Sequence, residues 1–150
     1  MNENDIRRAI EITESLRKVT REMTEERSAL IHDGIKDLSL AGELFRAMCG
    51  VTGYRRAQEP GRRKLFVFIA IYVFNPMFIL ERRKRRGLCA ALAALFHVHR
   101  SVIIEEEKQA VFLYLHYRDF RDGVHSLFTD IIQKVSENNL ILFGKLQKLL

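Results

Sequence analysis

Five consecutive basic residues, Arg82, Arg83, Lys84, Arg85 and Arg86, open the part of this chain whose side chains could do the most chemistry. Each offers a positive charge and N–H donors, the combination that grips phosphate oxygens. His99, Arg100, Ser101, Val102 and Lys108 follow within about two dozen positions and supply groups that could meet base edges or phosphates. The charge is local. Residues 55–86 hold ten Lys/Arg against Glu59 and Glu81, a net +8, whereas the whole chain carries +6, so the remaining residues sum to −2. A positive region in an otherwise slightly acidic protein is the electrostatic footprint of a polyanion partner. Nucleic acid and anionic lipid are the two candidates.

Other chemistries find little support. His97 and His99 could hold a metal with Cys89 or a glutamate, but their spacing matches no zinc pattern, and neither metal nor cofactor is expected. Asp119 and Asp122 alternate with Arg118 and Arg121 and read as solvated ion pairs rather than an acid/base couple. His32, His116 and His125 are scattered, and no glycine loop cradles a phosphate. The expectation is a protein without catalytic residues. Cys49 and Cys89 stand far apart, which suits reduced thiols in the cytoplasm. The opening MNENDIRRAIEI lacks the apolar core of a secretion signal.

The elements that must position these groups are helical. Two prolines and eight glycines in 150 residues leave few breakers. Residues 3–31 predict one long amphipathic helix, its seam running through Ile6, Ile10, Leu16, Met23, Leu30 and Ile31 and weakened by Thr13, Thr20 and Arg27. A packing helix is preferred over a dimeric coiled coil for this segment. A second helix is expected over 35–49, ended by Gly50 and Gly53, then a loop over 53–63. The apolar stretch 65–80 is shorter than a membrane span and is broken at Asn75-Pro76, so a buried helix over about 64–74 is predicted. Helices over 87–96 and 100–136 come next, the latter with a break near Glu107, and a short helix over 140–150 ends the chain. The fold class is all-α, a multi-helix bundle.

Within this frame, Leu92-Ala93-Ala94-Leu95-Phe96-His97-Val98-His99-Arg100-Ser101-Val102-Ile103 resembles the helix-turn-helix of phage-type repressors and transcription regulators. That pattern reads Leu-Ala-x-x-x-Gly-Val-Ser-x-x-x-Val/Ile, and the likeness covers Gly87 to Lys108. Ala93 stands where the two helices cross, Leu92 and Phe96 line the inner side of the first, Val98 plugs the turn and Ile103 is the inner residue of the second. The resemblance implies a central tri-helical unit over about 64–108, in which 65–74 supports the core, 87–96 braces on the nucleic-acid backbone and 100–108 enters the major groove. Three positions depart from the pattern. His97 replaces the turn glycine and must take a left-handed backbone. His99 replaces the polar cap. One of Glu105, Glu106 and Glu107 falls where an apolar core residue belongs.

Three regions are therefore expected: a packing or dimerising segment over 1–53, a basic helix-turn-helix-like unit over 54–108 and a helical segment over 109–150, together in one domain. The expected function is DNA binding, sequence-specific or not, in the manner of a transcriptional or mobile-element regulator. RNA stays open as a ligand, and a homodimer is an option. The alternative is a helical protein-interaction module or a module for anionic membrane surfaces, with 65–80 inserted shallowly.

Overall fold

The computed structural model describes residues 2–30 and 32–149, the side chains at 27–30 excepted. The chain divides into two units, residues 1–32 and 33–150. Among the described residues there are nine helices and no strand, the all-α class that the scarcity of breakers predicts.

The first unit is α1 (Glu3–Leu30). Glu3 and Asp5 sit in its first turn, where carboxylates meet the positive end of the helix dipole. Every side chain from Asn2 to Glu26 is exposed, including Ile6, Ile10, Leu16 and Met23 of the expected seam. Ile31 and the Leu30 side chain, at the end of that seam, lie outside the described residues, as does Leu150.

The second unit comprises α2 (Leu40–Thr52), α3 (Tyr54–Ala57), α4 (Pro60–Phe74), α5 (Met77–Glu81), α6 (Leu88–Phe96), α7 (Arg100–His116), α8 (Arg118–Asn138) and α9 (Leu140–Gln147). Helix α4 is its axis. Pro60 occupies the first turn, where a missing N–H costs nothing, and Asn75-Pro76 ends the helix. Between them Phe66 to Ile71, Val73 and Phe74 are all buried. A helix apolar on every face needs neighbours all round. Phe66 meets Phe45 of α2 and Phe96 of α6 edge to face, at centroid distances of 5.9 and 5.6 Å. Phe68 stacks on Tyr114 of α7 at 4.2 Å, and Tyr72 meets Phe128 of α8 at 5.9 Å. Most of the stretch 65–80, named for shallow membrane insertion, is thus buried in the bundle, while Leu80 is exposed. No single described helix is long and apolar enough to cross a membrane.

Several boundaries differ from the sequence expectation, each for a local reason. The second helix starts at Leu40, because residues 34–36 run along the end of α4 with the Ile35 N–H on the Val73 carbonyl at 2.8 Å. Gly50 lies inside that helix, and only Gly53, with φ of +84°, ends it. The loop over 53–63 holds α3 and the first turn of α4. The break expected near Glu107 falls at Tyr117 instead. Glu106 and Glu107 are on the buried side of α7, so the helix runs through them, and it ends where the Arg121 guanidinium takes the Tyr114 and Leu115 carbonyls at 3.0 and 3.1 Å. The 108/109 border accordingly falls within α7, and both it and 53/54 lie inside the second unit.

Candidate nucleic-acid interface

Helices α6 and α7 follow one another across the three residues 97–99, and their axes turn by 108°. Leu92, Ala93, Phe96 and Ile103 are buried, while Val98 and Val102 are half-buried. His97 takes the left-handed backbone that its place in the turn requires, φ +54°, and its N–H reaches the Ala94 carbonyl at 3.3 Å. A non-glycine residue tolerates this region at a modest cost. His99 caps α7: its Nδ1 accepts the Ser101 N–H at 3.1 Å and sits 2.8 Å from the Ser101 Oγ. The imidazole does for the helix start what serine does elsewhere, which is to satisfy an amide with no intrahelical partner.

The three glutamates separate by helical phase. Glu105 is exposed, while Glu106 and Glu107 are each 5% exposed. Glu106 receives the Arg63 guanidinium in a fork, Nε to both carboxylate oxygens at 3.0 and 2.8 Å and Nη2 to Oε1 at 2.7 Å. That pairing raises the arginine pKa and ties α4 to α7. Burial pushes the Glu107 carboxyl up, while the Lys84 charge and the Cys89 thiol pull it partly back.

The basic run is not uniform. It forms the connection between α5 and α6. The Arg85 guanidinium holds the carbonyls of Ile35, Lys36 and Phe74, the last at 2.7 Å. Arg82 adopts the left-handed backbone, φ +57°, and turns its guanidinium onto the carbonyls of Phe78, at 3.1 Å, and Ile79. Arg83 pairs with Glu81 at 3.5 Å. Lys84 and Arg86 are exposed.

Lys84, Arg85, Arg86 and Arg100 line one cavity of about 300 Å³, together with Cys89 and the buried Glu107, Arg85 with its guanidinium already held by the backbone carbonyls. The Cys89 thiol donates to the Arg100 carbonyl at 3.5 Å, joining α6 to the first turn of α7. The loop and the start of α7 therefore share one face. Ser101 and Lys108 are exposed with Glu105 along the outer strip of α7. Lys108 shares a cleft with Lys64, Gln109, Phe112 and Leu113. Of the residues that the sequence singles out, Arg83, Lys84, Arg86, His99, Arg100, Ser101 and Lys108 are exposed, Arg82 is exposed but turns its guanidinium onto backbone carbonyls, and Arg85, also carbonyl-bound, and Val102 are half covered.

No known protein family, curated protein or solved structure matches the chain.

Two features of this region carry no flag in the sequence reading. The row Arg100, Ile104, Glu107 follows the three-and-four spacing of one helix face, so its convergence on the cavity is legible in principle. The second feature has no local signal. Tyr114 Oη lies 2.9 Å from His125 Nε2 across α7 and α8, at a largely apolar cavity of about 290 Å³ lined by Phe68, Tyr72 and Phe128.

Proposed function

We propose that the second unit binds DNA through the face where the loop 82–86 meets the first turn of α7. The observation that carries this reading is the shared cavity: Lys84 and Arg86 from the loop and Arg100 from α7 converge on one site. The positive end of the α7 dipole adds to their field, which favours a phosphate there. A turn of 108° between α6 and α7 falls within the 90–120° range of helix-turn-helix units. In this reading Lys84, Arg86 and Arg100 hold the backbone. Ser101, Glu105 and Lys108 on the outer strip of α7 face base edges, with Glu105 able to accept from a cytosine amino group. Arg82 and Arg85 build the loop rather than bind.

The test is fluorescence anisotropy of a labelled duplex across a salt series. The triple variant Lys84→Ala/Arg86→Ala/Arg100→Ala should lower the slope of log affinity against log salt by roughly 3, close to one unit for each phosphate that is no longer neutralised. An unchanged slope refutes the assignment. A single-stranded RNA of the same sequence and acidic vesicles serve as competitors. Displacement of the duplex by vesicles alone would transfer the face to anionic lipid.

A further inference from the structure

Helix α1 carries an apolar stripe that stands open to solvent. Ile12 and Val19 are each 51% exposed, Leu16 62% and Met23 63%. Heptad spacing puts Ala9, Leu16 and Met23 at one core position and Ile12 and Val19 at the other, with Ile6, Thr13 and Thr20 along one flank. Arg8, Glu11, Ile12, Ser15, Leu16 and Val19 line a groove along this side. Isolated helices are marginal in water, and a long one with an uncovered apolar face gains its stability by association.

We propose that α1 pairs with α1 of a second copy, antiparallel, to form a homodimer. The choice of occupant follows from charge. Glu3–Leu30 holds six basic and seven acidic residues, a near-neutral mixture unlike the Lys/Arg-rich polar face of helices that lie on membranes. The choice of direction follows from the flank opposite the threonines, which carries Arg8, Ser15 and Glu22 at seven-residue intervals. An antiparallel pair centred between Ile12 and Leu16 stacks Ile12 on Leu16 of the second copy and Ala9 on its Val19. It sets Arg8 against Glu22 of the second copy, twice by symmetry, and brings the two Ser15 residues together at the centre. A parallel pair also offers one kind of ion pair, Glu22 with position 27 of the second copy, but it stacks Asp5 on Asp5 and Glu26 on Glu26 at core positions, which the antiparallel pair avoids, and it places the two Ser15 residues on opposite flanks. The inference does not rest on the nucleic-acid reading, and it is tested without nucleic acid.

Sedimentation velocity on the full chain should show a dimer that dissociates on dilution. Arg8→Glu and Glu22→Arg should each raise the dissociation constant about tenfold, from the loss of two attractive pairs and the gain of two repulsive ones, and the double variant should restore it. In a Cys49→Ala/Cys89→Ala background, Ser15→Cys should form an interchain disulfide under mild oxidation. A monomer at about 100 µM, a concentration on the order of that at which weak specific pairs form, overturns the proposal and leaves the stripe to another partner. A dimer without the Ser15→Cys cross-link, or single variants unrescued by the double, overturns the antiparallel register. Tyrosine near-ultraviolet circular dichroism of the same variants checks that the second unit, which holds all four tyrosines, stays folded.

Discussion

Breaking the Arg63–Glu106 pair should cost more than any surface ion pair of this protein. The two side chains retain 12% and 6% of their exposure, against 85% and 68% for Arg118 and Asp122. Exposed pairs contribute about 0–1 kcal/mol, because water already solvates each partner. A buried pair behaves asymmetrically: removing one partner strands the other charge and costs about 3–5 kcal/mol, whereas replacing both by apolar side chains is often neutral. Glu106→Leu leaves the three short hydrogen bonds of the Arg63 fork unmade, and a guanidinium cannot shed its charge by losing a proton. We therefore expect a loss of about 4 kcal/mol for Glu106→Leu, a large part of the roughly 5–15 kcal/mol typical of a domain. Arg63→Met/Glu106→Leu should fall within about 1 kcal/mol of the unmodified protein. Urea unfolding at pH 7 suits the measurement when followed by tyrosine near-ultraviolet circular dichroism, since Tyr54, Tyr72, Tyr114 and Tyr117 all belong to the second unit. A single-variant loss below about 1 kcal/mol, or a double-mutant cycle with no coupling, would show that the pair is solvated and that α4 and α7 are held by packing alone.

Two further outcomes concern the same core. Burial raises the Glu107 carboxyl above its ordinary 4.5, so the folded chain holds that proton more tightly than the unfolded one. Its contribution to stability is full below the ordinary value and declines as pH rises through the elevated one. Glu107→Gln should remove that decline, and stability-against-pH curves that run parallel for the two proteins would refute it. Gly34 has φ of +88°, and a Cβ there would stand 2.9 Å from both the Phe74 carbonyl oxygen and the Pro76 Cδ. Gly34→Ala should cost roughly 2 kcal/mol or more through backbone strain and displacement of that corner. An unmoved thermal midpoint would show that the corner yields freely.

Much of the bundle was legible because its signals are local. The apolar run through α4 is bounded by Pro60 and Pro76, and the Leu92–Ile103 pattern marks a buried side of α6, a turn and a buried Ile103. The left-handed backbone at His97 follows from its place in the turn, whereas His99, which the pattern marks as a departure from the polar cap, turns out to cap α7 through its Nδ1. What the pattern could not supply is partnership over distance. Glu106 reads as a misfit on a core face until Arg63, 43 positions earlier, arrives to meet it. The start of α2 was misplaced for the same kind of reason. Residues 34–36 are shaped by the end of α4 and by Arg85, not by their own helical propensity.

The basic run illustrates how charge density and charge availability part company. A turn between helices leaves carbonyls short of amide partners, and here Arg85 serves those of Ile35, Lys36 and Phe74, while Arg82 serves that of Ile79 and adds its guanidinium to the Phe78 carbonyl that its own N–H already reaches. A planar fork of N–H donors can serve two or three such oxygens at once, which a lysine ammonium does less well. Arginines at 82 and 85 meet that demand, and by doing so they fix the path of the intervening backbone. That path is what carries Lys84 and Arg86 to the rim of the cavity beside Arg100. Two of the five cations thus hold the chain itself, while Lys84 and Arg86 face the cavity and Arg83, paired with Glu81, stays exposed. The number of charges along the sequence therefore overstates the cations the loop leaves free, and the DNA-binding face we propose rests on the placement of Lys84 and Arg86 beside Arg100.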